Sequence, residues 1–493
     1  MKKFLIILLC LLIILGTGAF FGYRYFQNTY LVMGEETYRR DLTELDLSYE
    51  ELPDLAQLKE LTRLQTLNLK GTGLTAAQYE DLQSALPGCE ILWELPFQGS
   101  YLPLDTSVLI LDHVSAEDMA QIAYLQELET VDAMAMTDLE AVMALQAMYP
   151  DVEVFYQVAV AGQNLQKDAT SLTAENADLA ELTQQLQYLP QMADITFTGV
   201  IPANEAIYEL KQAYPDITFH WSFTFFDIPV TSDTTELDLS GIKMDSVEAL
   251  EAGLKYFNNL QKVVMCDTGL PSEEIDALWK RNPETRFIWN VKIGRFTVRT
   301  DITALMPFQY GYNGDKGIRL YDKDCTEMKY LVDLVCMDFG HMGIMDVSFL
   351  EYMPNLEYLI IADAPVSDIS AMANLKKLKY LEAFLCNIRD ITPLLGCTAL
   401  EDVNLSNNPI QDITPLGQIE TLNNIWISGR VWPQEQKAAL NAAKPDAKIV
   451  YYQNHGSTSE GWRSLDNYFN QRDLLGMWYM SDDGDVVTER PKK

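Results

Sequence analysis

Four hexapeptides decide the fold: Leu356-Glu357-Tyr358-Leu359-Ile360-Ile361, Leu378-Lys379-Tyr380-Leu381-Glu382-Ala383, Leu400-Glu401-Asp402-Val403-Asn404-Leu405 and Leu422-Asn423-Asn424-Ile425-Trp426-Ile427. Their opening leucines fall 22 residues apart, and Leu334 stands one step earlier. A second signal keeps the same period: Asp346-Val347-Ser348, Asp368-Ile369-Ser370, Asp390-Ile391-Thr392 and Asp412-Ile413-Thr414. The last two continue as Pro393-Leu394 and Pro415-Leu416, and Met353, Leu375, Cys397 and Ile419 recur at 22 as well. A fixed period of this size marks a repeat architecture. A single unit of strand, turn and short helical return cannot bury its apolar side. Stacked units pool their leucines into one continuous core, in which Cys397 reads as a core residue.

In these residues the sequence resembles the leucine-rich-repeat family, particularly its short-repeat, internalin-like kind with the D-I-T-P-L signature. Asn408, before Pro409-Ile410, stands at the ladder position, where its amide is expected to bond the neighbouring turn. Cys386 fills that place one repeat earlier, and Ala364 departs from it. The resemblance implies an α/β leucine-rich-repeat solenoid of parallel strands with short helices.

A longer module precedes this array. Five segments share a helix end, a proline and an apolar strand with an aromatic: 85–93, 148–156, 213–221, 281–289 and 443–451. Another repeat-type strand begins 22 or 23 residues before each proline, at Leu64, Leu128, Met192, Leu260 and Leu422. The module therefore reads strand, helix, strand, helix, strand. In the fourth copy the helices are expected over 246–257 and 272–281, with Ser272 as N-cap. Divergent leucine-rich repeats and small separate α/β domains both fit this pattern. The chain divides on these signals into a leader at 1–24, modules at 25–99, 100–163, 164–228 and 229–300, an irregular linker at 301–330, short repeats at 331–452, and a cap and tail at 453–493. The linker is marked by the loop-forming run Gly311 to Gly317. A cap is expected because a solenoid must close its last turn.

Residues 4–21 form an uncharged, mostly apolar run after Lys2 and Lys3. As a helix it spans about 27 Å, close to the hydrocarbon thickness of a bilayer. The expectation is a single-pass signal anchor with the bulk outside the cytoplasm. A cleaved secretory leader is the alternative, with Gly16 to Ala19 as the cleavage region.

Charge excludes one large class of partner. The chain has 493 residues, 36 Lys+Arg and 71 Asp+Glu, a formal net charge of −35. That field repels phosphate backbones, and no basic stripe relieves it, so nucleic acid is not an expected partner. The seven cysteines show no CxxC and no disulfide framework. None of the four histidines sits in a metal-binding motif, and no nucleophile elbow, P-loop or dinucleotide fingerprint occurs. His220 reads as a satisfied core or interface histidine. Asp482-Asp483-Gly484-Asp485 lacks the length and closing glutamate of an EF-hand. No enzyme, cofactor or metal is expected.

A ligand is expected on the concave sheet face, because alternate strand residues point away from the core. Aligned at 22, one column is Cys336, Tyr358, Tyr380, Asp402 and Asn424; the next is Asp338, Ile360, Glu382, Asn404 and Trp426. A third contains Phe384. Aromatics beside charges (Tyr358, Ile360, Tyr380, Phe384 and Trp426 with Asp338, Glu382, Asp402 and Asn404) suit binding of a protein or a glycan. Equally, the aromatics pack under a neighbouring segment. The functional expectation is a membrane-anchored extracytoplasmic binding or adhesion protein, the role that the internalin resemblance implies. The alternatives are an envelope enzyme or enzyme regulator with an acidic cleft in 90–320, and a structural spacer.

Overall fold

The computed structural model describes residues 2–480 and 486–487; of residues 2–14 and Val487 it describes the backbone only. The acidic run 482–485 lies outside the described residues. The chain forms two compact units, Met1–Trp221 and Ser222–Lys493.

The first unit opens with a 28-residue helix, Lys2–Thr29. Among the described residues no helix is long and apolar enough to cross a membrane. Most of the expected span, residues 4–14 of 4–21, lies outside the described side chains. Three parallel sheets of three strands follow. They are Glu44–Asp46, Thr66–Asn68 and Glu90–Leu92; Val108–Ile110, Thr130–Asp132 and Glu153–Phe155; and Ser171–Glu175, Asp194–Thr198 and Thr218–His220. Each triplet is one of the strand–helix–strand–helix–strand modules. Helix Ala76–Ala85 starts at a capping box on Thr75 and Gln78, which satisfies two orphan donors of its first turn.

An antiparallel hairpin separates one triplet from the next, an element the repeat pattern does not predict. Glu94–Phe97 pairs with Ser100–Pro103, and Gln157–Val160 with Gln163–Gln166. Their two-residue turns are Gln98-Gly99, at φ 48° and 77°, and Ala161-Gly162, at φ 47° and 72°. Two successive positive φ angles match the right-handed twist of the paired strands, and glycine adopts the second without a Cβ penalty.

The second unit repeats this plan once. The hairpin Ser222–Phe225 with Ile228–Thr231 precedes the sheet Glu236–Asp238, Lys262–Val264 and Arg286–Ile288. Its helices run Glu248–Leu254 and Ser272–Arg281. Ser272 is the first helical residue rather than the cap: its hydroxyl donates to Glu327 Oε1 at 2.6 Å and accepts from Trp289 Nε1 at 3.1 Å. After a further hairpin, Asn290–Ile293 with Phe296–Arg299, comes a seven-stranded parallel sheet. Its strands are Ala304–Leu305, Cys336–Asp338, Tyr358–Ile360, Tyr380–Glu382, Asp402–Asn404, Asn424–Trp426 and Lys448–Val450. The register sets Tyr358 beside Tyr380 and Tyr380 beside Asp402, so the 22-residue period is the strand-to-strand step itself. Residues 301–330, expected as a linker, supply the first strand and several 3-10 turns instead, because Ala304 pairs with Cys336.

Within the seven-stranded sheet the 22-residue steps return through a five-residue 3-10 helix such as Ser370–Asn374 or Thr392–Gly396, whereas the 22-residue step from Val108 to Thr130 in the first unit returns through the α-helix Ala116–Ile122. Where the step ends in the proline motif, one or two extra residues make room for a ten-residue α-helix, as in Gln434–Ala443. Asp346, Asp368, Asp390 and Asp412 start the 3-10 turns, each accepting at 2.8–2.9 Å from the N–H two residues on. Leu334, Leu356, Leu378, Leu400 and Leu422 are buried, as is Cys397. Asn408 accepts from the Ile388 N–H at 3.0 Å and donates to the Ala383 and Leu405 carbonyls at 2.7 and 3.0 Å, which is the expected ladder.

Candidate functional site

In the seven-stranded sheet the middle residue of each strand enters the core, and the first and third face the other way. Residues on an uncovered sheet face are open to solvent. Here Tyr358, Ile360, Tyr380, Glu382, Asp402, Asn404 and Trp426 are all buried. They are covered by a strap from the C-terminus: residues 457–461, a 3-10 turn Trp462–Ser464 and the helix Asp466–Leu475. Trp462 is fully buried between Tyr380, at 5.0 Å and stacked, and Trp426, at 5.2 Å and edge-on. The expected free ligand face at Tyr358, Tyr380, Asp402, Asn404 and Trp426 is therefore occupied by this same chain. The reason is intrachain burial of aromatic surface, which costs no translational entropy. The C-terminal segment was expected over the last turn; it lies across the strands instead.

Polar groups fix the strap. Glu382 Oε2 accepts from Trp462 Nε1 at 2.7 Å and from the Tyr380 hydroxyl at 2.6 Å. Asp402 accepts from Asn467 at 3.0 Å and Asn424 at 2.7 Å, Asn404 donates to the Ser457 carbonyl at 2.7 Å, and Trp426 Nε1 donates to the Ser459 carbonyl at 2.9 Å. Burial raises the Tyr380 phenol well above its ordinary pKa, and the Glu382 carboxylate adds to the shift. Burial likewise raises Asp402, against the two asparagine amides. Burial raises Asp338, against the Gly340 N–H and Arg472, and Glu382 adds a smaller push upward.

Beside the strap the face stays open as a cleft of about 480 Å³. Asp338, Ile360, Glu382 and Phe384 of the sheet line it, opposite Arg472, Met477 and Trp478. The 307–318 loop closes one side with Phe308, Tyr312 and Asp315. Gly314 lets that loop approach: a Cβ there would clash with the His341 carbonyl oxygen. His341 Nδ1 sits 3.0 Å from Asp363 and 3.7 Å from Asp315. Arg472 Nη1 donates to Met477 Sδ at 3.0 Å, while its buried Nε has no partner. Burial pulls the Arg472 pKa down, but Tyr468, Asp338 and Glu382 outweigh it and raise the net value. The repeat pattern brought Asp338, Ile360, Glu382 and Phe384 to light; Arg472 and Trp478 lie outside it, signalled only by the aromatic density of 462–479.

The first unit presents its sheets differently. Outward strand positions carry Glu44, Asp46, Glu90, Asp132, Glu153, Glu175 and Asp194, with no lysine or arginine among them. Val108 is 54% exposed, Ile110 74% and Phe155 41%. Val108 and Phe155 line a hollow of about 310 Å³ with Asp132 and Lys167, whose ammonium stands 5.0 Å over the Phe155 ring. His220 lies 3.3 Å from Asp194 and is half-buried.

Among the described residues no His/Cys/Asp/Glu group is placed to hold a metal. The six described cysteines are buried, and burial pushes the Cys325, Cys386 and Cys397 thiols up to about 12.

Parallel register at a constant 22-residue step from Cys336 to Trp426, framework leucines turned inward and Asn408 bonded to the neighbouring turn define a leucine-rich-repeat fold. Over residues 334–427 its repeats are short, one every 22 residues. No family model matches the chain, and no curated protein does. It is similar to solved structures of an internalin from Listeria monocytogenes (16% identity, 85% of this chain and 90% of that one, TM-score 0.25) and of a leucine-rich-repeat protein from Leptospira interrogans (13%, 84% and 96%, TM-score 0.25). Internalin C2 from Listeria monocytogenes is also similar, at 18% identity over 46% of this chain and 76% of that one, with a TM-score of 0.22.

Proposed function

We propose that the chain is a binding protein, anchored in a membrane through residues 4–21 with its bulk outside the cytoplasm, and that it meets a protein ligand on the uncovered strand faces between residues 44 and 220. One observation carries this reading: Val108, Ile110 and Phe155 are apolar yet exposed at outward strand positions, beside carboxylates. Apolar side chains on a solvent-facing sheet lose no stability when changed and gain free energy when a partner covers them. No catalytic constellation accompanies them, so the reading is contact rather than chemistry.

The test is capture from envelope fractions by the full-length chain in detergent, compared with the double variant Ile110→Glu, Phe155→Glu. The expected result is a partner retained by the wild type and lost by the variant, with both melting alike. Equal capture by the two proteins would remove this face from the account.

A further inference from the structure

The cleft beside the strap has a lining that the binding role of the first unit does not use. Its floor carries Asp338, whose Oδ1 accepts from the Gly340 N–H at 3.0 Å and whose second oxygen receives no hydrogen bond from the described residues. Opposite stands Arg472, a guanidinium with a thioether as its hydrogen-bond acceptor and a buried, unpartnered Nε. No ion pair joins Arg472 to a carboxylate among the described residues. A guanidinium fork desolvated without an oxygen acceptor is costly, and a carboxylate on a ligand would fill it. A purely anionic ligand would also meet the charges of Asp338 and Glu382, which favour a cation close by. Phe384, Met477 and the half-exposed Trp478 line the same cleft and offer apolar and ring contact, and Arg463 and Asp315 line it too. A volume of about 480 Å³ is within the range of small-molecule pockets and too small for a folded partner.

We infer that this cleft binds a small zwitterion: an ammonium set against Asp338 and Glu382, a carboxylate against Arg472, and an apolar side chain against Phe384 and Trp478, as in an apolar amino acid or dipeptide. The inference concerns the second unit alone and stands or falls separately from protein binding by the first.

Calorimetry on the full chain tests it, with L-phenylalanine and L-phenylalanyl-L-leucine as probes. Two controls each lack one charge: N-acetyl-L-phenylalanine has no ammonium and phenethylamine no carboxylate. Saturable binding of either probe is expected, weakened about ten-fold or more by loss of either charge, because each charge-assisted contact contributes at least that much. The amino acid and the dipeptide are distinguished by which binds more tightly. Asp338→Asn should weaken the probe and strengthen N-acetyl-L-phenylalanine, which then meets one repelling charge fewer. Arg472→Met acts on the carboxylate but also touches the strap, so Trp478→Ala, at a half-exposed position, serves as the second variant and should weaken binding without shifting the melt. Absence of saturable heat with both probes overturns the inference, and so does equal binding of the single-charge controls.

Discussion

The strand faces of residues 44–220 and that of the seven-stranded sheet have the same construction and opposite fates. Ile110 and Ile360 are each the third residue of a three-residue strand, pointing away from the core. Ile110 is 74% exposed and Ile360 5%. The backbone does not make the difference, since both lie in parallel ladders. Composition does: the open faces are threonine and carboxylate with a few apolar residues, whereas the covered face carries Tyr358, Tyr380 and Trp426 in adjacent columns. Rings at that density hold a strap; isolated side chains do not. The comparison teaches that an aromatic column on a repeat protein's concave face has two possible occupants, a foreign ligand or the chain's own terminus, and the second arrives at far higher effective concentration.

The strongest way to break this comparison is Trp462→Ala. Removing a fully buried indole costs about 3–5 kcal/mol, and Glu382 loses one of its two donors. If the strap is a separate cover, hydrogen exchange should show the amides of 466–475 losing protection while those of Leu359, Leu381 and Val403 keep theirs. Equal loss in both sets would mean that strap and sheet are one cooperative structure, and the face would never exist uncovered.

A matched pair gives a smaller and sharper test. Threonine keeps the β-branch, so Ile360→Thr and Ile110→Thr alter strand propensity alike. The buried site should lose about 1.5–3 kcal/mol of transfer free energy. The exposed one should stay within about 0.5 kcal/mol of wild type. Denaturant midpoints read both, and equal shifts would show that the two faces are not covered differently.

The sequence carried the fold because the same constraint is imposed repeatedly. A leucine every 22 residues is needed at every repeat, so chance drift at one position leaves the rest visible, even with Ala364 off the ladder. The hairpins are legible only afterwards: Gln98-Gly99 and Ala161-Gly162 are two-residue turn signals, but each occurs once per module and its flanking strands are four residues long. A covering segment was one of the two readings of the aromatic face, but which segment it would be was not legible, for another reason. Periodicity places Tyr380 and Trp426 on one face and says nothing about what meets them, because the covering contact joins residues as distant as Glu382 and Trp462. Only the aromatic run 462–479, outside any repeat, hinted that a large buried surface had a second half.

The smallest expected effect concerns the charge held under that cover. Burial raises the folded-state pKa of Asp338, the Glu382 carboxylate raises it further, and the Gly340 N–H and Arg472 oppose them. A carboxyl whose folded pKa lies above its unfolded value favours the native state while protonated, and that contribution disappears as pH rises through the folded pKa. Asp338→Asn removes the titration, and its amide keeps an oxygen for the Gly340 N–H. The variant should therefore melt above wild type at pH 7, and the gap should close as pH falls below the ordinary carboxylate range. If Asp338→Asn lowers the melt at pH 7, the carboxylate's attraction to the Arg472 charge exceeds its desolvation, and the charge supports the face rather than opposing it.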